Sequence, residues 1–370
     1  MRANLYVMAF FNLTNNANPV YPDAILDMSR ETASVFQLKR RYEKVPPQLI
    51  LSPDFQRQFV WSTKQKSELI ESIIMGIPLP ALYVKENTDG TYVIVDGKQR
   101  LTTLFDFIDN SFRLGQLTVL TDLSNKCFSD LSPFHQNKIE DYTLQVNVIK
   151  ANTPDRVTLD LFDRVNRGGT KLNNQEMRTA LYQGTSTRLI SYLADFHSFK
   201  VATEHSATSK RMTDRTFVLR FIAFYLWRDR LSVDIDYNSP LEYKSNLDDF
   251  LGKTMAFINT LDAHSSLITD LTNAFTSAMD TASHYIVKLG GFRLPSKEGK
   301  SKRRLNVAFF DSFSYLLAKT NLSEYQFNEA YHELVNNNEY VNAISYSVDS
   351  TQQVNKRFDI IEKFIYKYNK

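Results

Sequence analysis

Cysteine is nearly absent: Cys127 is the only one in 370 residues. That excludes a disulfide framework and a cysteine-based zinc site, and it fits a reducing cytoplasm. Glycine is scarce as well, with 11 residues against a usual share of about 7%. The paired glycines Gly168-Gly169 and Gly290-Gly291 therefore carry more information than usual. Net charge is close to nil. Lys+Arg 44 against Asp+Glu 41 leaves +3, so any nucleic-acid site has to be a local basic patch. No run reaches the roughly 18–20 apolar residues that a membrane span needs. The nearest, Phe217 to Trp227, is short and holds Arg220. The stretch from Met1 to Val20 faintly imitates a signal peptide, but no A-x-A site follows, so export is not expected and Met8 is an alternative start. HExxH, GxSxG, GxxxxGK[ST] and GxGxxG are all missing. His135, His197, His205, His264, His284 and His332 show no metal spacing.

What is present is ordinary globular material, 43% hydrophobic and 23% charged, which excludes a disordered tail or a fibrous repeat. The length suggests two domains, at roughly 100–200 residues each. The first part alternates element types. Glu31 to Tyr42 reads as a short helix ending in basic Leu38–Arg41, and Gln48 to Leu51 as a short strand. Ser62 caps a helix, with Gln65 completing a capping box and Leu69, Ile70, Ile73 and Ile74 as its apolar stripe. Ala81–Glu86 and Thr91–Val95 read as strands of a hairpin joined by Asn87–Gly90. A helix follows to about Asp109, Thr143–Ile149 is a strand, Pro154 opens a helix, and Asn173 or Asn174 caps another that Gly184 ends. After that the pattern is helical almost throughout. The expected architecture is α+β, with residues 1–185 forming a domain around a small sheet and residues 186–370 a helical domain.

Three constellations carry chemistry. The first is Asp96–Arg100, DGKQR, where a hydrophobic strand meets a new helix. The first N–H groups of a helix lack intrahelical partners and carry the positive end of the dipole, which makes an anion site. Gly97 permits the turn, Lys98 and Arg100 add charge, and Thr102 and Thr103 add hydroxyls. Asp96 is suited to hold a hydrated magnesium ion or to orient Arg100. The alternative is a plain strand–turn–helix corner in which Asp96 is an N-cap and the cations are solvated. The second is Pro53–Trp61, where Gln56 and Arg57 lie between Phe55, Phe59 and Trp61, a pattern suited to stacking on a base and grasping a phosphate. A core-anchoring loop would use the same residues. The third is Phe162–Arg178, in which Arg164, Asn166 and Arg167 run into Gly168-Gly169. It is either a close approach to a ligand or a glycine C-cap followed by an N-cap. A further basic stretch, Gly290 to Leu305, holds Arg293, Lys297, Lys300, Lys302, Arg303 and Arg304 against Glu298 alone. It is expected to be an exposed loop, either touching nucleic-acid backbone or simply solvated.

Taken together and in order, PDFQRQFVW, LIESIIMGIPLPALYV, VIVDGKQRLTTLFDFI and LFDRVNRGGTKLNNQEMRTAL resemble the GmrSD-type restriction-enzyme amino-terminal domain family, from about Ser34 to Gly184. Lys210–Leu226 is similar to the helical region that follows in many members. The resemblance implies a ParB/sulfiredoxin-like core and a DGQQR motif serving nucleotide binding and hydrolysis. Carried over, the site is Asp96, Gly97, Gln99 and Arg100, with Gln56, Arg57 and Asn166. Lys98 departs from the family, which more often has Gln there. Many relatives add an HNH nuclease, for which the helical half shows no pattern.

The function expected is a nucleotide-binding module of a DNA restriction or anti-phage defence system, acting as a Mg2+-dependent nucleoside triphosphatase. Helix N–H groups, Arg100, Lys98 and Arg57 would hold phosphates, Asp96 the metal, and Asp96 or Glu71 the attacking water. The alternatives are a non-catalytic nucleotide- or DNA-binding switch and a domain that itself nicks DNA. Nucleotide, DNA and a separate nuclease are the partners implied, with homo-oligomerisation left open. Arg100→Ala is expected to abolish nucleotide binding while leaving stability within about 1 kcal/mol, as the loss of a surface group does.

Overall fold

The computed structural model describes residues 27–51, 61–153, 173–209, 212–295 and 304–370, together with Val157, Thr158, Leu161 and Arg164. The chain is α+β, with a five-stranded mixed sheet in its first part and a helical second part.

The sheet is built from β1 (Met28–Ser34), β2 (Leu49–Ile50), β3 (Leu82–Glu86), β4 (Tyr92–Asp96) and β5 (Thr143–Ile149). Their spatial order is β1-β5-β3-β4-β2. β3 and β4 form the antiparallel hairpin that the strand–NTDG–strand pattern predicts, and β3 runs parallel to β5. The first expected helix is shorter than its sequence suggests. Residues 31–34 belong to β1, and α1 covers Val35–Glu43. The physical reason is a non-local pairing. β1 is antiparallel to β5 along its whole length, from Met28 opposite Ile149 to Ser34 opposite Thr143. Ser34 then ends the strand and caps the helix, its Oγ accepting from Gln37 N at 3.2 Å.

The helices α2 (Thr63–Ile74), α3 (Lys98–Ile108) and α4 (Pro133–Glu140) join α1 on one face of the sheet. There Leu38, Ile70, Ile73, Leu101, Leu104 and Phe107 pack with Leu82, Val84, Ile94, Val146 and Val148 in one buried cluster. Ser62 and Gln65 make the predicted capping box at the start of α2. The opposite face buries Val95 and Ile149 against Met177 of α5 (Asn174–Leu181), with Tyr83 and Leu161 alongside. Of the two asparagines, Asn173 is the cap of α5, its Oδ1 accepting from Glu176 N at 2.8 Å.

The second part comprises α6 (Thr185–Ala194), α7 (His197–Ala202), α8 (Thr213–Arg228), α9 (Leu247–Asn259), α10 (Ser266–Tyr285), α11 (Val307–Lys319), α12 (Glu324–Asn336), α13 (Asn338–Ala343) and α14 (Thr351–Tyr368). A two-residue strand pair, Val233–Asp234 with Ser239–Pro240, interrupts the helical pattern. Its aromatic-rich core runs from Tyr182 to Ile361 in sequence. α8 lies within it, with Phe217, Val218, Phe221, Ile222 and Phe224 all buried. No helix among the described residues is long and apolar enough to cross a membrane.

Arg220, the charge inside the apolar run of α8, is neutralised within the core. Its Nη2 donates to Asp311 Oδ2 of α11 at 2.6 Å and to Asp349 Oδ1 at 3.2 Å. Arg357 of α14 donates to the same Asp311 oxygen at 3.2 Å and to Val348 O. Burial works against the charge on Arg220, but the Asp311 carboxylate outweighs it and holds the guanidinium more firmly protonated than usual. Asp311 is fully buried, so Asp311→Ala would leave Arg357 with only Val348 O and Arg220 with only the outer carboxylate of Asp349. The expected loss is about 3–5 kcal/mol, the scale for breaking a buried pair by removing one partner. Urea unfolding of the variant checks it, and a change under about 1 kcal/mol would refute the assignment.

Candidate functional site

The strand β4 delivers Asp96 to a turn, and α3 begins two residues later. Gly97 makes this junction with φ +99°, in the left-handed region. A Cβ at Gly97 would also lie 2.1 Å from Leu82 Cδ2, so both conformation and space require glycine. Gly97, not Asp96, is therefore the N-cap of α3, and no side chain caps the helix. Leu101 N finds Gly97 O at 2.9 Å. The first turn, Lys98 to Arg100, is left with N–H groups of the kind that accept an anion.

Asp96 does not fold back onto this helix end. It binds Arg100 instead, with Arg100 Nη2 donating to Asp96 Oδ2 at 2.8 Å. The same guanidinium donates to Ala81 O at 3.3 Å and, through Nη1, to Pro80 O. Arg100 is thus not a solvated cation. Its side chain is 11% exposed and Asp96 32%. Burial pulls the basicity of Arg100 down, and the charge and hydrogen bond of Asp96 only partly offset this. Pro80 and Ala81 were not recognised from the sequence, because they act through main-chain oxygens. The available signal was GIPLP, whose prolines favour an extended approach to β3. Tyr142 pins the same segment, donating to Ile77 O at 2.8 Å and accepting from Leu79 N at 3.0 Å.

The other candidates divide. Lys98 and Gln99 lie half-buried on the first turn of α3, and Thr102 half-buried one turn on. Thr103 is fully buried, its hydroxyl donating to Gln99 O at 2.8 Å, which ties it to the helix backbone. Glu71 is buried on α2 and holds a loop. Its Oε1 accepts from Val119 N and Leu120 N, each at 2.8 Å. Burial alone would raise its pKa, yet the N–H groups of Leu120, Val119 and Thr118 together bring it below the ordinary glutamate value. Gln56 and Arg57 lie outside the described residues, as do Asn166 and Arg167. Arg164 is helical and exposed.

The basic stretch departs from expectation at its first cation. Arg293 is buried rather than exposed, binding Glu204 through Nη1, Gly290 O at 3.1 Å and Ser206 Oγ at 2.9 Å. A carboxylate and two further oxygens in reach make burial of the guanidinium feasible. Arg304 is exposed, and Lys297, Lys300, Lys302 and Arg303 lie outside the described residues. No group of three or more His, Cys, Asp or Glu that could hold a metal ion occurs among the described residues. His332 lies within α12 and His284 near the end of α10. A cavity of about 730 Å3 is lined by Tyr192, Asp195, His197, Ser198, Asp280 and His284, none of them part of the Asp96–Arg100 turn.

Residues 35–183 match the family model described as GmrSD restriction endonuclease, N-terminal domain. This segment belongs to that family. Comparison with curated proteins and with solved structures gives no match. The GmrSD N-terminal domain starts with α1 and ends just past α5, so the Asp96–Arg100 turn lies within it. β1 precedes the matched stretch and yet completes its sheet through β5. The chain thus carries a module of a restriction system.

The geometry changes the expectation for Arg100. Arg100→Ala removes a largely buried guanidinium from three oxygens, so it should cost about 1.5–3 kcal/mol, the scale for charged hydrogen bonds, rather than being neutral. Thermal or urea unfolding measures this. A loss below about 0.5 kcal/mol, the range of ordinary surface substitutions, would count against the buried clamp.

Proposed function

We propose that the GmrSD N-terminal domain binds a nucleoside triphosphate at the turn from β4 to α3 and hydrolyses it with Mg2+ to control a DNA restriction reaction. The single observation that carries this reading is the left-handed Gly97, which sets a strand-end carboxylate beside a helix start that no side chain caps. Phosphate oxygens would meet the N–H groups of Lys98, Gln99 and Arg100, with the Lys98 ammonium adding charge. The chemistry of the donor set fits a hydrated Mg2+ at Asp96, since Asp96 Oδ1 has no partner among the described residues while Oδ2 is held by Arg100. When bound, that ion would neutralise charge developing on the phosphates. Gln99, Thr102 and, from outside the described residues, Gln56, Arg57, Asn166 and Arg167 belong to the same proposal as further contacts. Glu71 is left out of the chemistry, because its carboxylate is taken up by the loop at 118–120.

The mixed sheet flanked by helices on both faces is compatible with the ParB/sulfiredoxin-like core that the resemblance implies. A division near residue 185 is part of the same reading. It is supported by one apolar cluster drawn from residues 33–148 and another from 182–361. DNA contact through the stretch ending at Arg304, and a separate nuclease as partner, complete the proposal. A second reading has its own support: with Glu71 and one Asp96 oxygen engaged, the domain would bind nucleotide as a switch without turnover.

Phosphate release from Mg2+ with ATP, GTP, CTP or UTP, with and without DNA, tests the proposal. Turnover is expected, and Asp96→Asn should lower it by about 10²-fold or more, as loss of a preorganised electrostatic group does. Binding without release would favour the switch, and neither would refute both readings. The helical part is not expected to act as an HNH nuclease, since the strand pair among its described residues, Val233–Asp234 with Ser239–Pro240, carries no histidine and is only two residues long. Plasmid incubated with the purified chain in Mg2+ or Mn2+ should stay free of double-strand breaks. Robust cutting abolished by replacing His197, His205, His264, His284 or His332 would overturn this.

A further inference from the structure

Sequence logic makes Arg100 a phosphate ligand, but the donors of its guanidinium are already directed elsewhere. Nη2 donates to Asp96 Oδ2 at 2.8 Å and to Ala81 O at 3.3 Å, and Nη1 donates to Pro80 O. The side chain is 11% exposed and closes over Gly97, where an added Cβ would lie 3.3 Å from Nη2. Turning Arg100 outward to a phosphate would break its bonds to two main-chain oxygens and a carboxylate at once, one of them a charge-assisted pair. Lys98 stands on the first turn of α3 beside the N–H groups.

We infer that Arg100 is a positioning residue that acts through Asp96: it grips the carboxylate by Oδ2, ties it to the Pro80–Ala81 segment ahead of β3, and leaves Oδ1 as the oxygen presented to a ligand. This rests on the proposed reading of the turn as a nucleotide site. The arginine joins three chain segments that meet only in the fold: the end of β4, the approach to β3 and the first turn of α3. A planar fork with several donors can serve these acceptors together, whereas a lysine offers a point charge on a flexible stem. Arg100 therefore sets the direction of Asp96, and the N–H groups and Lys98 carry the phosphates.

The test separates binding from turnover in the full chain. Arg100→Ala, Arg100→Lys and Lys98→Ala are compared by calorimetric titration with the non-hydrolysable β,γ-imido triphosphate of whichever base the chain hydrolyses, and by phosphate release at saturating nucleotide and varied Mg2+. Positioning predicts that Arg100→Ala leaves nucleotide affinity within about threefold. Turnover should fall by about 10²-fold, the scale for a misplaced reacting group, and the Mg2+ requirement should rise. Arg100→Lys restores only part of the turnover, and Lys98→Ala weakens binding instead. If Arg100→Ala weakens binding about 10–100-fold with turnover at saturation unchanged, Arg100 is a phosphate ligand and the inference is wrong. If the unaltered chain neither binds nor hydrolyses any of the four triphosphates, the nucleotide reading fails, and thermal unfolding of Asp96→Asn, Arg100→Ala and the double variant decides the positioning alone. A double shift no larger than the greater single shift supports it, and additive shifts overturn it.

Discussion

The ion pair between Asp96 and Arg100, folded across Gly97, is the constraint around which the first part of the chain is arranged. It closes where three segments converge, and each needs the others. Without the left-handed glycine, β4 could not pass directly into α3, because a side chain there would strike Leu82. Without the arginine, the main-chain oxygens of Pro80 and Ala81 would lose the donor that ties this segment to α3. The pair also explains why an exposed-looking motif sits so firmly. The nearby carboxylate is bound to the arginine instead of capping the helix start.

A second buried charge cluster does comparable work in the helical part. Asp311 sits between Arg220 and Arg357, with Asp349 as the outer partner. Two guanidiniums against two carboxylates leave little net charge in the core, and the groups come from α8, α11, α14 and the turn before α14. Such a cluster is geometrically demanding, since an apolar contact tolerates sliding and a set of directed hydrogen bonds does not. α5 connects the two regions. Its Met177 packs against Val95 and Ile149 of the sheet, while Arg178 and Asn174 bind Asp248 at the start of α9. The helix that ends the GmrSD N-terminal domain is thus anchored on both sides, directly behind the strand that delivers Asp96.

Electrostatics divides the candidate residues by what already holds them. Arg100, Arg293, Glu71 and Thr103 all belong to patterns that suggest ligand chemistry, and in the fold all four have internal partners. Each polar group buried in a low-dielectric setting needs a partner, and the nearest backbone oxygen or N–H often supplies it. Among the described residues, Asp96 Oδ1 stays outside this set of internal contacts, since Arg100 holds only Oδ2. That sorting is what turns a string of attractive residues into a specific arrangement of holders and positioners.

By itself the sequence determined what depends on local rules. The hairpin around Asn87–Gly90, the capping box at Ser62, the strand before Asp96, the helix after it and the helical character beyond Gly184 are all short-range consequences of periodicity, turn chemistry and caps, and the family resemblance that the match over 35–183 bears out rests on the same linear motifs. The tertiary structure alone decided that residues 31–34 extend, because only β5, more than a hundred positions away, can pair with them. It alone turned Arg293 inward, because Glu204 and Ser206 reach it only once the helices pack. It alone gave Arg100 its partners, because Pro80 and Ala81 bond through main-chain oxygens that every residue possesses and no residue letter reveals. Local propensity is written along the chain, whereas the pairing of buried charges and backbone oxygens is settled by which distant segments share the same low-dielectric space.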